Sequence, residues 1–187
     1  MQENTPYSDE WIIQSFADNA RKNKAFEAIL DQYQQKVYWH VRRMVISHDD
    51  ADDVCQNTFI KVWENLHQFK GQSKLYTWIY RIATNEALSF LNSKKANQSL
   101  EDTPVDLLNH LHNPEYFNGN HITLKLQEAL LQLPEKQRLV FNMKYFENMK
   151  YEEMSNVLDT SVGALKASYH HAVKKIESYL IQVKPLN

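Results

Sequence analysis

The chain has 187 residues, of which 43% are hydrophobic and 24% charged, the balance of a globular protein with one large domain or two small ones. Three glycines and five prolines are very few, which disfavours a β-rich or loop-rich fold, so an all-α architecture is expected. The net charge of −2 speaks against a nucleic-acid partner only on average: residues 1–95 hold 12 basic and 12 acidic side chains, 96–121 hold 0 and 4, and 122–187 hold 9 and 7. What DNA requires is a local basic face. The single cysteine, Cys55, rules out an intramolecular disulfide and agrees with a reducing compartment. No charged n-region precedes an apolar run, and no stretch approaches ~20 apolar residues, so a cytoplasmic protein without membrane insertion is expected.

After a loose tail, Ser8 or Asp9 can cap a helix from Glu10, with Trp11, Ile12, Phe16 and Ala20 inward. A second helix over about 23–46 keeps Phe26, Ile29, Leu30, Tyr33, Val37, Val41 and Met44 at helical spacing. It ends on Arg42 and Arg43, where cations suit the dipole. Asp49, Asp50, Asp52 and Asp53 then place acids at a helix N-terminus. Ala51, Val54, Cys55, Thr58, Phe59, Val62 and Leu66 form that third helix's inner stripe. Its other side carries Asp53, Gln56, Asn57, Ile60, Trp63 and Glu64. Two large apolar groups among polar ones suggest a helix with two partners.

A polar loop with its flexible point at Gly71 leads into a fourth helix over 75–93. Leu75, Trp78, Ile79, Ile82, Ala83, Ala87, Phe90 and Leu91 are its buried stripe. Tyr76, Thr77, Tyr80, Arg81, Thr84, Asn85, Asn92, Lys94 and Lys95 are expected to face outward. Exposed rings, amides and cations on one helix suit single-stranded nucleic acid: rings stack on unpaired bases, amides bond their edges, cations follow phosphates.

From 96 to 121 the periodicity dissolves into a linker rich in Asn, Ser, Asp and Pro. Its His110, His112 and His121 have no accompanying acid or cysteine at metal-ligand spacing, so solvated histidines and no metal or cofactor are expected. A second domain over 122–187 opens with a leucine-rich helix that Pro134 ends, and Pro134-Glu135 starts the next. A short helix over 151–158, a turn at Asp159-Thr160-Ser161 with Ser161 as N-cap, and a long helix over 162–180 read as a helix-turn-helix. The long helix buries Val162, Leu165, Tyr169, Ala172, Ile176 and Leu180. Outside that stripe stand Lys166, Ala167, Ser168, His170, His171, Lys174 and Lys175, cations for phosphates and small or polar groups for base edges. Gly163 and Ala164 let the backbone approach DNA. A helical hairpin with a solvated basic face would show the same pattern.

The run DDADDVCQNTFIKVWENLHQF followed by LYTWIYRIATNEALSFL resembles region two of the extracytoplasmic-function sigma factors of bacterial RNA polymerase. LPEKQRLVFNMKYFENMKYEEMSNVLDTSVGALKASYHHAVKKIESYL resembles their region four. The chain departs from the family pattern at Asp159, where glycine is common, at Ser168, His171 and Val173, often arginine, and at Asn57, often glutamate. The resemblance implies two small helical domains, 8–95 and 122–187, on the flexible linker 96–121. It implies that the first grips core RNA polymerase through Asp53, Gln56, Asn57, Ile60 and Trp63. That domain would also capture the melted minus-ten strand, with the loop Phe69–Leu75 (Phe69, Lys70, Ser73) and Asn85 forming a pocket and Tyr76, Tyr80 and Arg81 beside it. The second would read the minus-thirty-five duplex through Gly163, Ala164, Lys166, Ala167, Ser168, His170, His171 and Lys174. An anti-sigma partner is implied too, and no chemistry of the chain's own. Two other readings compete: a helix-turn-helix regulator with an unrelated sensor domain and no polymerase, and a hydrolase on the Asp49–Asp53 carboxylates.

Overall fold

The computed structural model describes residues 7–97 and 121–182, apart from the side chains at 95, 97 and 121–124. The linker expectation, with His110 and His112, falls almost wholly outside those residues. All regular elements among the described residues are helical, and they fall into two compact units divided near Ser93.

The first unit is built from α1 (Asp9–Ala17), α2 (Lys22–Val45), α3 (His48–Asn65), a 3₁₀ turn (Leu66–Gln68) and α4 (Leu75–Asn97). Ser8 starts α1, its Oγ accepting the Trp11 N–H at 3.2 Å. Ser47 starts α3, its Oγ accepting the Asp50 N–H at 3.4 Å. Between α2 and α3 lie only Ile46 and Ser47, and Ile46 takes a φ of 70° to make the reversal. That conformation is uncommon for a β-branched residue, and the packing of the two helices holds it.

Ile12, Phe16, Ile29, Val37, Val41, Val54, Phe59, Val62, Leu75 and Ile79 interlock as one core. Completely burying such a side chain contributes about 1.5–3 kcal/mol. Polar side chains sit among them too. His40 is buried, and its Nε2 lies 2.9 Å from Thr84 Oγ1, which donates its own proton to the Tyr80 carbonyl at 2.7 Å. Thr84 Oγ1 is therefore the acceptor, and His40 carries a proton on Nε2.

This arrangement overturns part of the expected outward face of α4. Tyr80 is only 5% exposed, and Thr77 and Thr84 are buried as well. For Tyr80 and Thr84 the physical reason is His40: its ring needs a partner in the core, and Thr84 supplies the oxygen while the Tyr80 ring packs against it with centroids 4.9 Å apart. Trp78, Phe90 and Leu91 are half-buried rather than central. Ala20, expected inward, is exposed because α1 stops at Ala17. α4 runs four residues past the expected end at 93.

The second unit contains α5 (His121–Leu131), α6 (Glu135–Tyr145), α7 (Tyr151–Leu158) and α8 (Val162–Gln182). Pro134 stands just before α6, where its missing N–H costs nothing. Glu153 accepts the Lys150 N–H at 3.1 Å and opens α7. Asp159 closes it in the left-handed region, φ 48° and ψ 46°, the geometry a short carboxylate side chain tolerates. Ser161 then caps α8 through the Ala164 N–H at 3.3 Å. Ala129, Leu130, Leu133, Phe141, Ala172 and Ile176 form the core, with Tyr169 stacked on Phe141 at 5.7 Å. Leu180, expected in the inner stripe, is 36% exposed, since α8 continues beyond the last core residue, Ile176.

Candidate functional site

Three surfaces gather the residues singled out in the sequence. The first is a groove of about 950 Å³ between α2 and α3. Phe26, Leu30, Cys55, Phe59, Ile60 and Trp63 give it an apolar floor, and Asp31, Gln34, Gln35, Asp52, Gln56 and Glu64 a rim of acids and amides. Gln56, Ile60 and Trp63 meet there, while Asp53 and Asn57 are exposed on α3 outside the lining. Ile60 is 48% exposed, an apolar side chain in water. Trp63 is half-buried, edge-on to Phe16 and Phe26 at 5.3 and 5.0 Å, with the Lys22 Nζ 4.4 Å from its ring centroid. Its indole is thus fixed before any partner arrives.

Sequence reasoning missed the other wall of this groove. Tyr38 and Trp39 of α2 line it, and Trp39 is 46% exposed. The signal was present: two adjacent aromatics cannot both follow the inner stripe of a helix. Tyr38 is held by His48, 2.5 Å from its hydroxyl. The Cys55 thiol is pushed up to about 12 by burial, with the Asp52 carboxylate adding to it, so it lines the groove as a neutral apolar group.

The second surface is a hollow of about 350 Å³ walled by Lys61 and Asn65 of α3, Gln68 of the 3₁₀ turn, and Trp78, Arg81, Ile82, Asn85 and Glu86 of α4. Lys61 and Glu86 form an ion pair at 2.5 Å, and Asn65 donates to the Lys61 carbonyl at 2.8 Å. Asn85 and Arg81 are exposed at its mouth. Phe69 packs against Trp78 with centroids 5.5 Å apart, so the loop ring buttresses this region from behind. Lys70 is exposed and Ser73 half-buried. Gly71 has φ +67° with nothing within 4 Å of an added Cβ, so backbone conformation, not space, calls for glycine there. Tyr76 is half-buried beside Lys74, whose Nζ is 5.7 Å from the ring centroid. Tyr80 belongs to the core instead, and of the predicted aromatic pair only Tyr76 is left at the surface.

The third surface is α8. Gly163, Ala164, Lys166, Ala167, His170, His171 and Lys174 are exposed and Ser168 is half-buried, a convex face with no large apolar side chain. Nothing lies within 4 Å of a Cβ added at Gly163. The Tyr151 ring of α7 lies between two cations, with Lys144 Nζ at 5.1 Å and Lys166 Nζ at 5.7 Å from its centroid. Among the described residues no group of three or more His, Cys, Asp or Glu side chains could hold a metal ion. None of the described helices is long and apolar enough to cross a membrane.

A helix-turn-helix with a polar second helix in one unit, and an apolar groove with a polar hollow in the other, define a two-domain helical DNA-binding protein with a second macromolecular partner. The comparisons narrow that class. The family described as Sigma-70 region 2 matches residues 29–97, and Sigma-70, region 4 matches 123–176. The ECF RNA polymerase sigma-E factor of Salmonella typhimurium is 32% identical, over 96% of this chain and 98% of that protein. Its namesake in Haemophilus influenzae is 29% identical, over 87% and 89%. Among solved structures, CnrH in complex with the cytosolic domain of CnrY shares the fold at TM-score 0.69 and 21% identity, covering 94% of this chain and 99% of that one. The sigma factor RpoE in complex with the anti-sigma factor NepR, from Bartonella quintana, does so at 0.68 and 19%, covering 86% and 99%.

This chain belongs to the extracytoplasmic-function sigma factors. A regulator with an unrelated sensor domain is not favoured, because the first domain is itself region 2. The acids at Asp49–Asp53 open α3 beside the Ser47 cap, which the helix dipole alone explains.

Proposed function

We propose that the α2–α3 groove is where core RNA polymerase docks, in the cytoplasm, and that the two DNA surfaces divide promoter recognition between melted strand and duplex. The observation that carries the docking is Ile60 and Trp39, large apolar groups left in water on the two walls of one groove. Apolar anchors inside a polar rim are how a protein interface concentrates its energy. Gln56 and Trp63 contribute the same way from within the groove, and Asp53 and Asn57 from its outer edge.

Docking brings the hollow onto the minus-ten region. Extruding a base costs a few kcal/mol in lost stacking and pairing, and a pocket that binds the free base offsets it. Asn85 reads the base edge, Arg81 and Lys70 hold phosphates, and Tyr76 stacks on a neighbouring base. Phe69 and Ser73 shape the loop beside them. α8 enters the major groove of the minus-thirty-five element with Lys166 and Lys174 on phosphates. Ser168, His170 and His171 lie toward base edges, and Gly163, Ala164 and Ala167 permit close approach. Tethering through polymerase turns this weak duplex reading into a local event. An anti-sigma factor would silence the protein, as the solved relatives bound to CnrY and NepR suggest by analogy. The protein itself contributes binding and no bond-making.

The test is assembly with core polymerase followed by transcription from a promoter library, with Ile60→Asp as the diagnostic variant. Ile60→Asp is expected to weaken the polymerase complex at least tenfold while the thermal midpoint stays within about 2 °C, since the side chain is exposed in the free protein. Unfolding of that variant would make Ile60 a core residue, and undiminished assembly would remove the groove from the interface.

A further inference from the structure

The Asp9 carboxylate ties together three helices of the first unit. Its own residue opens α1, its Oδ1 accepts the Tyr33 hydroxyl of α2 at 3.1 Å, and its Oδ2 accepts the backbone N–H of Leu75 at 3.0 Å. Leu75 is the first residue of α4, so this carboxylate serves as an N-terminal cap delivered from 66 residues away. The ordinary source of such a cap is the side chain just before the helix, here that of Lys74, which has no oxygen to offer.

The strut carrying the carboxylate is itself braced. Ser8 caps α1, Gln32 Nε2 donates to the Tyr7 carbonyl at 2.9 Å, and the Tyr7 ring stacks on Trp11 with centroids 4.0 Å apart. Ile12 of α1 and Leu66 of the 3₁₀ turn are both buried, so α1 is anchored in the core on which the turn before the loop also rests. The Tyr33 hydroxyl's tendency to ionise is suppressed by burial first and by the Asp9 charge second, so it remains a donor to Asp9.

We propose that Asp9 is a positioning residue for promoter opening: it fixes where the loop 69–74 ends and α4 begins, and so holds the base-capturing hollow in its receptive shape. Asp9 touches no base. It acts through Leu75, from which α4 carries Trp78, Arg81 and Asn85 into the wall of the hollow. The position lies outside the stretch that matches Sigma-70 region 2, which starts at residue 29. The inference rests on the proposal that this hollow captures a melted base.

Asp9→Ala removes both hydrogen bonds, and Asp9→Asn keeps one acceptor oxygen for Leu75 but loses the charge. The full-length variants, assembled with core polymerase, are compared on duplex promoter DNA and on the same promoter pre-melted across the minus-ten element. Asp9→Ala is expected to slow open-complex formation on duplex about fivefold, the size of one helix-cap interaction. Asp9→Asn should slow it less, and both should regain wild-type rates on pre-melted DNA with polymerase affinity unchanged. Hydrogen exchange at the Leu75 amide should rise in Asp9→Ala even without polymerase or DNA. Wild-type rates on duplex would overturn the inference, as would a defect that persists on pre-melted DNA or is matched by lost polymerase affinity. If wild-type protein opens no promoter with polymerase, the underlying reading fails; if only the variants' defect is missing, that reading stands and Asp9's role alone is refuted.

Discussion

The two helices proposed to meet DNA, α4 and α8, solve opposite problems. α4 is buried over much of its circumference: Leu75, Thr77, Ile79, Tyr80, Ala83, Thr84 and Ala87 all face the core, and its functional candidates sit at the rim of a hollow. α8 buries only Leu165, Ala172 and Ile176 and leaves most of its surface convex and small. A base pulled out of a stack needs an enclosure that excludes water and holds its walls still. A major groove needs a protruding rod that fits into it. One helix is therefore committed to its own core, and the other leaves most of its surface open.

The contrast breaks most visibly at the core of α4. Ile79 is fully buried, and Ile79→Ala is expected to cost about 2–5 kcal/mol in urea unfolding. Exposed Lys174→Ala on α8 should stay within about 0.5 kcal/mol. Next in size is the polar pair buried between α2 and α4. Thr84→Val leaves His40 Nε2–H without its oxygen and should cost about 1–3 kcal/mol, part of which a His40→Leu partner substitution recovers in a double-mutant cycle. Additive losses would mean that the two side chains do not depend on each other.

That pair also marks where the sequence stops being legible. Helix spacing was enough to order the eight helices of the described residues and to place Ser8, Pro134 and Ser161 at their ends, because caps and turns are local chemistry, while the Ser47 cap of α3 was passed over. The polar residues on α4 read as outward by type, yet Thr77, Tyr80 and Thr84 are inside. For Thr84 and Tyr80, His40 had to be known first: it lies 44 positions from Thr84, whose oxygen it meets, and packs on the Tyr80 ring. Asp9 was legible only as an α1 start for the same reason, its second duty lying across 66 residues. The α2–α3 groove was half visible: α3 showed Ile60 and Trp63 as surplus apolar groups, while Tyr38 and Trp39 of α2 were passed over.

At the hollow itself, Asn85→Ala should slow open-complex formation about tenfold, within the 1–3 kcal/mol of a good base contact, and leave polymerase affinity unchanged. Equal open-complex yields for wild type and variant would take Asn85 out of base capture. The smallest effect belongs to α8. Lys166→Ala should lower the slope of log affinity against log salt by about one unit and weaken related minus-thirty-five sequences uniformly, as one lost phosphate contact does. His171→Ala should instead change which sequence is preferred. Uniform weakening by His171→Ala would class it with the phosphate contacts.

The division of labour is tested most directly by crosslinking from each helix in turn. A photoreactive group at Tyr76 on α4, and in a second variant at Ala167 on α8, is activated in holoenzyme bound to a promoter with each strand labelled. The account predicts that position 76 attaches to the non-template strand within the melted minus-ten element and position 167 to the major groove of the upstream duplex. Attachment of position 76 to upstream duplex, or of position 167 to melted DNA, would contradict it.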